Sequence, residues 1–402
     1  MNNESPNKLA WRKFRRNPFS LTGLIYIVLM FAIAVLGYLV IPDSTPYANQ
    51  QHLELTTKPP GFSVKVLRVK INRIAEKEGL FHKMIFGKTP EYQSIPFEEV
   101  KIIRQVVVLE EYTGGYNNDV PFLKEYHPAD VVYALNAEEE IVNLTGDTLL
   151  LHLADGSAIK TTYAQLSEEI KEDHVSVLNF PLGSDRFGRD LMSRLVIGAR
   201  VSLSVGFIAV FISLVIGLTL GAIAGYFRGW IDDVITWLIN VVWSIPTLLL
   251  VIAITLVLGK GFWQVFVAVG LTMWVEVARV VRGQVMGIRE KEYVEAARAL
   301  GYSSRRIIFR HILPNAIAPV IIISAANFAS AILMEAGLSF LGIGVQPPIP
   351  SWGSMIKEHY GYIIVDMAYL AILPGLAIML IVLSFTLVGN GLRDAWDVKS
   401  AP

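Results

Sequence analysis

The segment EYVEAARALGYSSRRIIFRHILPN, Glu292 to Asn315, lies between two apolar stretches at about 261 to 281 and 315 to 334. It reads as two short helices with a tight break. Glu292 and Glu295 favour the first turn of a helix, where unpaired backbone N–H groups carry partial positive charge, and Ala296, Ala297 and Ala299 are strong helix formers. Gly301 suits the left-handed position just past a helix end. Ser303 or Ser304 can then cap a second helix that runs through Ile307 and Ile308 toward Pro314. The product is a compact basic knob whose small residues let a groove of another protein approach closely, with Glu295 beside them as a directional charge. A plain solvated loop would account for the positive charges. It would not account for the order Glu-Ala-Ala, Gly, Ile-Leu-Pro.

Outward from this knob the chain is apolar. Hydrophobic residues make up 53% of 402 positions and charged residues 17%, with a mean hydropathy of +0.47, which places the chain among membrane proteins. A helix needs about 20 apolar residues to cross a hydrocarbon core of about 30 Å, because lipid offers no partner for backbone polar groups. Five stretches meet that test: 21 to 41, 201 to 227, 234 to 259, 315 to 334 and 367 to 392. A sixth, about 261 to 281, is uncharged as far as Val275; Glu276 and Arg279 then lie three apart on one helical face, where they can pair or snorkel. Pro246 and Pro374 fall inside spans and predict kinks. Asn240 and Asn327 read as interhelical glue. The first apolar stretch exceeds the roughly 7 to 15 residues of a signal h-region and is read as a retained anchor.

Charge predicts orientation, since short cytoplasmic loops hold the excess of Lys and Arg. Segment 1 to 20 holds five, Arg228 one, Arg279 to Arg310 eight and the tail 393 to 402 two, whereas the short opposite loops hold only Lys260 and Lys357. Both termini are therefore expected in the cytoplasm of a multi-pass plasma-membrane protein. Arg186, Arg189, Arg194 and Arg200 crowd the opposite side, against this trend.

Residues 45 to 180 differ in kind. They carry 13 Lys+Arg against 20 Asp+Glu, while the remainder carries 22 against 15, which marks an acidic soluble insert. Apolar runs at Val64 to Ile71, Gln105 to Leu109 and Thr148 to Leu153, with turns at Gly114-Gly115 and Asp155-Gly156, predict a small extracytoplasmic α+β domain. Its place and acidity suggest docking of a basic partner or shielding of an entrance, with simple stabilisation of a complex as the alternative. Gly87-Lys88-Thr89 ends like a phosphate-binding loop, but His82 stands where the first glycine is required. His82, His127, His152 and His174 lack metal-ligand spacing and read as surface histidines. With no cysteine in the chain and no nucleophile beside a base, no catalytic residue and no metal site is predicted.

The Glu292 to Asn315 segment resembles the EAA loop of importer permeases in the ATP-binding cassette superfamily, with Glu295-Ala296-Ala297, Gly301 and Ile312-Leu313-Pro314 at matching positions. Further stretches resemble the dipeptide/oligopeptide/nickel permease family in its C-type subunit. They are Leu182 to Asp190, with Gly183, Asp185, Gly188, Arg189 and Asp190; Leu338 to Gly342; Ser351-Trp352-Gly353; and Gly391 to Asp394. Asn390 and the long insert depart from the family pattern.

The resemblance implies an all-α polytopic membrane fold of the type I importer class with about six spans, interrupted by the insert. Its expected parts are a cytoplasmic segment 1 to 20, a first span 21 to 41, the insert 45 to 180, an amphipathic motif segment 181 to 200, a core 201 to 392 containing the coupling loop 282 to 314, and a tail 393 to 402. It also implies that Glu292 to Leu300 is a coupling helix seated in a partner ATPase. Further implied partners are a second permease, identical or similar, a second ATPase, an extracytoplasmic binding protein and membrane lipid, with no nucleic acid. ATP and magnesium would be held by the ATPases, leaving this chain without a cofactor. The motif residues Gly183, Asp185, Gly188, Arg189, Asp190, Trp352 and Gly353 are then expected near the pathway. Glu335, near the end of the fifth span, is a pathway candidate as an intramembrane ionisable group; a helix-end carboxylate reaching water or backbone is the equal alternative. A sensor whose spans relay binding by the insert, and a membrane enzyme, are the rival classes.

Overall fold

The computed structural model describes residues 6–74, 78–103, 105–114, 122–139, 141–144, 147–259 and 261–396. Gly115 of one expected turn, Lys260 and the tail from 397 lie outside them. The chain divides into two compact units, residues 1–35 with 197–402, and residues 36–196. It opens with α1 (Pro6–Arg16) and the apolar α2 (Pro18–Val40), which is long enough to cross a membrane.

The 36–196 unit has the expected mixed α and β character. In chain order it contains β1 (Phe62–Lys70), α3 (Leu80–Phe86), β2 (Tyr92–Ile103), β3 (Val106–Glu111), β4 (Leu123–Tyr126), α4 (Pro128–Val132), β5 (Val142–Asn143), β6 (Thr148–His152), β7 (Ala158–Thr162), α5 (Tyr163–Glu169) and β8 (Val175–Phe180). β4, β3, β2, β1 and β8 form one antiparallel sheet in that order, and β5, β6 and β7 a second. Val66 of β1 sits between Pro96 of β2 and Ser176 of β8, so the strand next to the sheet edge is paired on one side with a segment far along the chain. Leu67, Val107 and Leu109 from the sheet pack with Val131, Leu149, Leu151, Leu166 and Ile170, all fully buried. α5 starts at a capping box in which Thr162 and Gln165 serve each other's backbone N–H groups. His174 is buried rather than at the surface, with Nδ1 2.6 Å from the Arg68 carbonyl. His127 accepts the Ala129 N–H at the start of α4.

The rest of the other unit is helical: α6 (Leu191–Phe227, whose first residues fall in the 36–196 unit), then α7 (Gly229–Ser244), α8 (Thr247–Leu258), α9 (Phe262–Arg289), α10 (Glu292–Ala299), α11 (Ser304–Ile307), α12 (Leu313–Phe340), α13 (Trp352–His359) and α14 (Tyr369–Trp396). Among the described residues five helices, counting 304–340 as one, are long and apolar enough to cross a membrane, or six if α7 and α8 form one span. α9 is the buried axis, contributing Val265, Phe266, Val269, Val277, Val281 and Val285 to the interior. α6 lies directly against it through Gly217, Gly221 and Gly225, four residues apart. A Cβ at Gly221 would come within 2.5 Å of the Ala278 carbonyl, and one at Gly217 within 2.6 Å of the Val277 Cβ. This small-residue stripe substitutes close van der Waals contact for the hydrophobic drive that lipid cannot supply.

Two expectations about the spans change. The stretch read as one helix over 234 to 259 is two helices bent by 93°. Pro246 has no N–H to give and holds Ile245 extended (φ −89°, ψ 129°), so the break falls at the proline. Pro374, by contrast, lies inside an unbroken α14. The span expected at 315 to 334 begins earlier: a π-helical turn, Ile308–Ile312, joins α11 to α12 into a helix running from Ser304 to Phe340.

Candidate functional site

The Glu292–Ala299 helix forms where the alanines and the glutamates of the first turn predict it. It ends in a left-handed glycine: Gly301 has φ 75°, its N–H reaches the Arg298 carbonyl at 2.9 Å, and the Tyr302 N–H reaches the Ala297 carbonyl at 3.1 Å. Those two bonds satisfy carbonyls that a helix end leaves open. Ser303 occupies the position before α11 but makes no side-chain capping bond. One face of α10 is anchored, because Val294 and Ala297 are buried with Tyr226 of α6, Val281 and Val285 of α9, and Ile307, Ile308 and Ile312. Burying a valine of this kind contributes roughly 1.5 to 3 kcal/mol. The Arg298 guanidinium lies 5.4 Å over the Tyr226 ring and adds a lateral tie. The other face is free of this chain: Glu292, Glu295, Ala296, Ala299 and Gly301 are exposed, as are Leu300 and Phe309. Of the trailing motif, Ile312 is buried, Leu313 half-buried and Pro314 exposed. The result is a rigidly seated helix presenting small and acidic residues outward.

Beside the segment, Arg228 donates to Glu290 at 2.6 Å. That contact holds the Glu290 carboxyl below its usual range.

The break at Ile245-Pro246 opens a recess of about 80 Å³ lined by Trp243, Thr247, Thr272, Glu276, Ser330 and Met334. Glu276 sits midway along α9 and is exposed in this chain. Glu276 and Arg279 do not pair among the described residues; the Arg279 guanidinium instead lies 3.2 Å from the Trp243 ring centroid. A charged side chain facing lipid at mid-depth costs about 2.5 to 3.5 kcal/mol or more, so the recess belongs on a face turned to water or to another protein. Sequence reading assigned no function to this group. The signal in the sequence was a proline in one span and a carboxylate in the next.

Glu335 occupies a different environment. It is fully buried in α12, accepting from Ser339 Oγ at 2.7 Å and from Ser202 Oγ of α6 at 3.2 Å. Ser351 Oγ, at the start of α13, is 3.3 Å from Ser339 Oγ. The carboxylate therefore reaches neither water nor backbone and joins three elements through hydroxyls. Trp352 is buried, and Gly353 fits so closely that an added Cβ would stand 2.6 Å from the Ala336 backbone. Asn327 is buried with its amide nitrogen unpaired among the described residues, and Asn240 is exposed, so neither acts as interhelical glue within this chain.

In the other unit the motif residues form a buried knot. Asp185 accepts from Arg189 Nε at 2.6 Å and from the backbone of Phe187 and Arg189, and Asp190 accepts the Ser193 N–H at 2.7 Å. Burial pushes the Asp190 carboxyl up despite those bonds. Gly183 and Gly188 have positive φ, and an added Cβ would collide with the Lys58 and His52 carbonyls respectively. These residues clamp 183–193 to the 43–58 strand of chain. The structure gives them internal partners rather than a shared open surface.

The described residues form a multi-span helical bundle with a short, partly exposed helix at the end of its spans. Residues 217–399 match the family described as the inner membrane component of binding-protein-dependent transport systems. Residues 5–60 match the N-terminal transmembrane domain of oligopeptide transport permease C. The dipeptide transport system permease protein DppC of Alkalihalophilus pseudofirmus is 44% identical over 217 residues, 54% of this chain and 71% of that protein. The glutathione transport system permease protein GsiD of Pectobacterium atrosepticum is 41% identical over 218 residues, 54% and 72% of the two chains. A chain of the MetNI methionine ABC transporter in inward-facing conformations aligns at 22% identity with a TM-score of 0.41, covering 51% of this chain and 97% of that one. The chain belongs to the binding-protein-dependent importer permeases, in the branch that resembles DppC and OppC. It is a multi-pass inner-membrane transport subunit. Residues 61–216 lie outside both family matches.

Proposed function

We propose that this chain is one of two permease subunits enclosing a path for peptides or similar small solutes, driven by two separate ATPases and supplied by an extracytoplasmic binding protein. The observation that carries the reading is α10, buried through Val294 and Ala297 and exposed through Glu292, Glu295, Ala296 and Ala299. A helix held this way moves with its bundle, so closure of an ATPase around its free face transmits displacement to the spans. ATP and magnesium stay with the ATPases. The coupling set is Glu292, Glu295, Ala296, Ala297, Ala299, Gly301, Ile312, Leu313 and Pro314, with both termini on the same cytoplasmic side.

Within the path we place Glu276 rather than Glu335. The first is exposed at mid-depth beside a broken helix, an arrangement in which irregular backbone is tolerated because it lines a cavity. Glu335 positions α13 against α6 and α12. A carboxylate on the path suits solutes bearing an ammonium group, as dipeptides and glutathione do. ATP-dependent uptake of labelled di- and tripeptides by the reconstituted complex tests the assignment; absence of uptake across a broad peptide set, with ATPase activity intact, would refute it.

A further inference from the structure

The 36–196 unit carries an element that neither the family match nor the transport reading uses. α3 has no buried residue. Leu80, Phe81, Ile85 and Phe86 are 69%, 78%, 51% and 59% exposed, and Ile74 just before the helix is 67% exposed. A run of large apolar side chains this exposed marks an interaction surface.

What covers it follows from where the helix is tied. The Lys88 N–H, two residues past α3, donates to the Ser44 carbonyl at 2.7 Å. Gly87 is pressed onto the same turn, where an added Cβ would stand 2.8 Å from the Ser44 oxygen. Ser44 lies four residues beyond Val40, the last residue of the first membrane-crossing helix. Four residues reach at most about 14 Å, and a seven-residue helix adds only about 10 Å. The headgroup layer is about 5 to 8 Å deep on each side of the hydrocarbon. The whole of α3 is thus within reach of the bilayer surface from which the first span emerges.

Charge agrees with that placement. Lys70, Arg73, Lys83 and Lys88 line a cleft of about 530 Å³ together with Glu78 and Glu91. Glu91 pairs with Lys70 and Lys88 at 3.3 and 2.8 Å, and Glu78 accepts from Thr89. Among the described residues Arg73 and Lys83 are left without a carboxylate partner at ion-pair distance. Apolar side chains flanked by cations are the pattern of a helix lying in the membrane interface, with aliphatic and aromatic groups at the acyl boundary and Lys or Arg at the phosphates.

We infer that α3 is an interfacial anchor: Leu80, Phe81, Ile85 and Phe86 enter the phospholipid boundary, and Arg73 and Lys83 meet lipid phosphates. The insert is then held down on the bilayer at a second point besides its covalent attachments.

The chain has no cysteine, so single-cysteine variants label cleanly. Phe81→Cys and Ile85→Cys, each carrying an environment-sensitive fluorophore, are compared with Ser157→Cys on the exposed Asp155–Ser157 turn, in the assembled complex in nanodiscs containing anionic phospholipid. At positions 81 and 85 emission shifts to shorter wavelength and spin-labelled lipid quenches most of it; at 157 it stays water-like. Exchanging Arg73 and Lys83 for Glu in the same background reduces the quenching in anionic discs more than in neutral ones. Water-like, unquenched emission at both 81 and 85, with ATPase activity intact, overturns the inference. So does shielding that appears only when a binding protein is added, which would make α3 a protein-docking surface.

Discussion

Asp232 receives two hydrogen bonds from one guanidinium, Arg282 Nε at 2.5 Å and Nη2 at 2.7 Å, and this fork ties the first half of the broken span to α9. A helix interrupted at Ile245-Pro246 has lost its own continuity, so its placement depends on such lateral ties. Removing one partner leaves the other partly buried without its ion pair, at a cost of about 1 to 2 kcal/mol. Asp232→Asn should lower the thermal unfolding midpoint of the purified subunit. Arg282→Lys should fall between, because an ammonium keeps the charge but not the two-point geometry; a lysine variant as unstable as Asp232→Ala would show that charge alone contributes little.

Gly301 has open space around it, so a side chain there acts through the backbone. Forcing a β-branched residue to φ 75° costs about 1 to 2 kcal/mol and undoes the pair of bonds that end α10. Gly301→Val and Glu295→Ala should each reduce co-purification of the ATPase and coupled transport severalfold while membrane insertion is unchanged. Unaltered co-purification and transport in both variants would remove the coupling role.

For the recess at the break, Glu276→Gln should raise the apparent KM for peptides with a free amino group about tenfold, as loss of one ion pair worth about 1.4 kcal/mol would do. N-acetylated peptides should be unaffected, and so should basal ATPase activity. Loss of assembly instead would mean that Glu276 pairs with the neighbouring permease.

Glu335→Ala leaves the Ser202 and Ser339 hydroxyls facing a void, with an expected loss of roughly 2 to 4 kcal/mol. Glu335→Gln, which still accepts from hydroxyls, should retain most of the stability and transport. Transport lost in the glutamine variant at unchanged stability would return Glu335 to the path.

Orientation has its own test. Ser157→Cys should react with an impermeant thiol reagent in spheroplasts and Ser303→Cys should not. The reverse pattern would place α10 on the wrong side for an ATPase.

Local chemistry explains what was readable in the sequence. Apolar runs longer than a bilayer is thick have few alternatives to spanning it, and the EAA segment carries its own helix signals and stop, so the existence of the spans and the α10 turn at Gly301 were legible. The strands β1, β3 and β6 were visible as apolar runs for the same reason. Contacts between distant parts of the chain were not legible. Tertiary structure alone decided that the span containing Pro246 is bent by 93° while Pro374 lies inside an unbroken α14. It decided that Glu276 lines a recess whereas Glu335, also a lone carboxylate in an apolar helix, is enclosed by hydroxyls from three elements. It also joined Asp185 and Arg189 in a buried ion pair. Spacing along one helix determines which side chains share a face, but burial and partnership depend on the other helices, strands and loops that the fold packs against it.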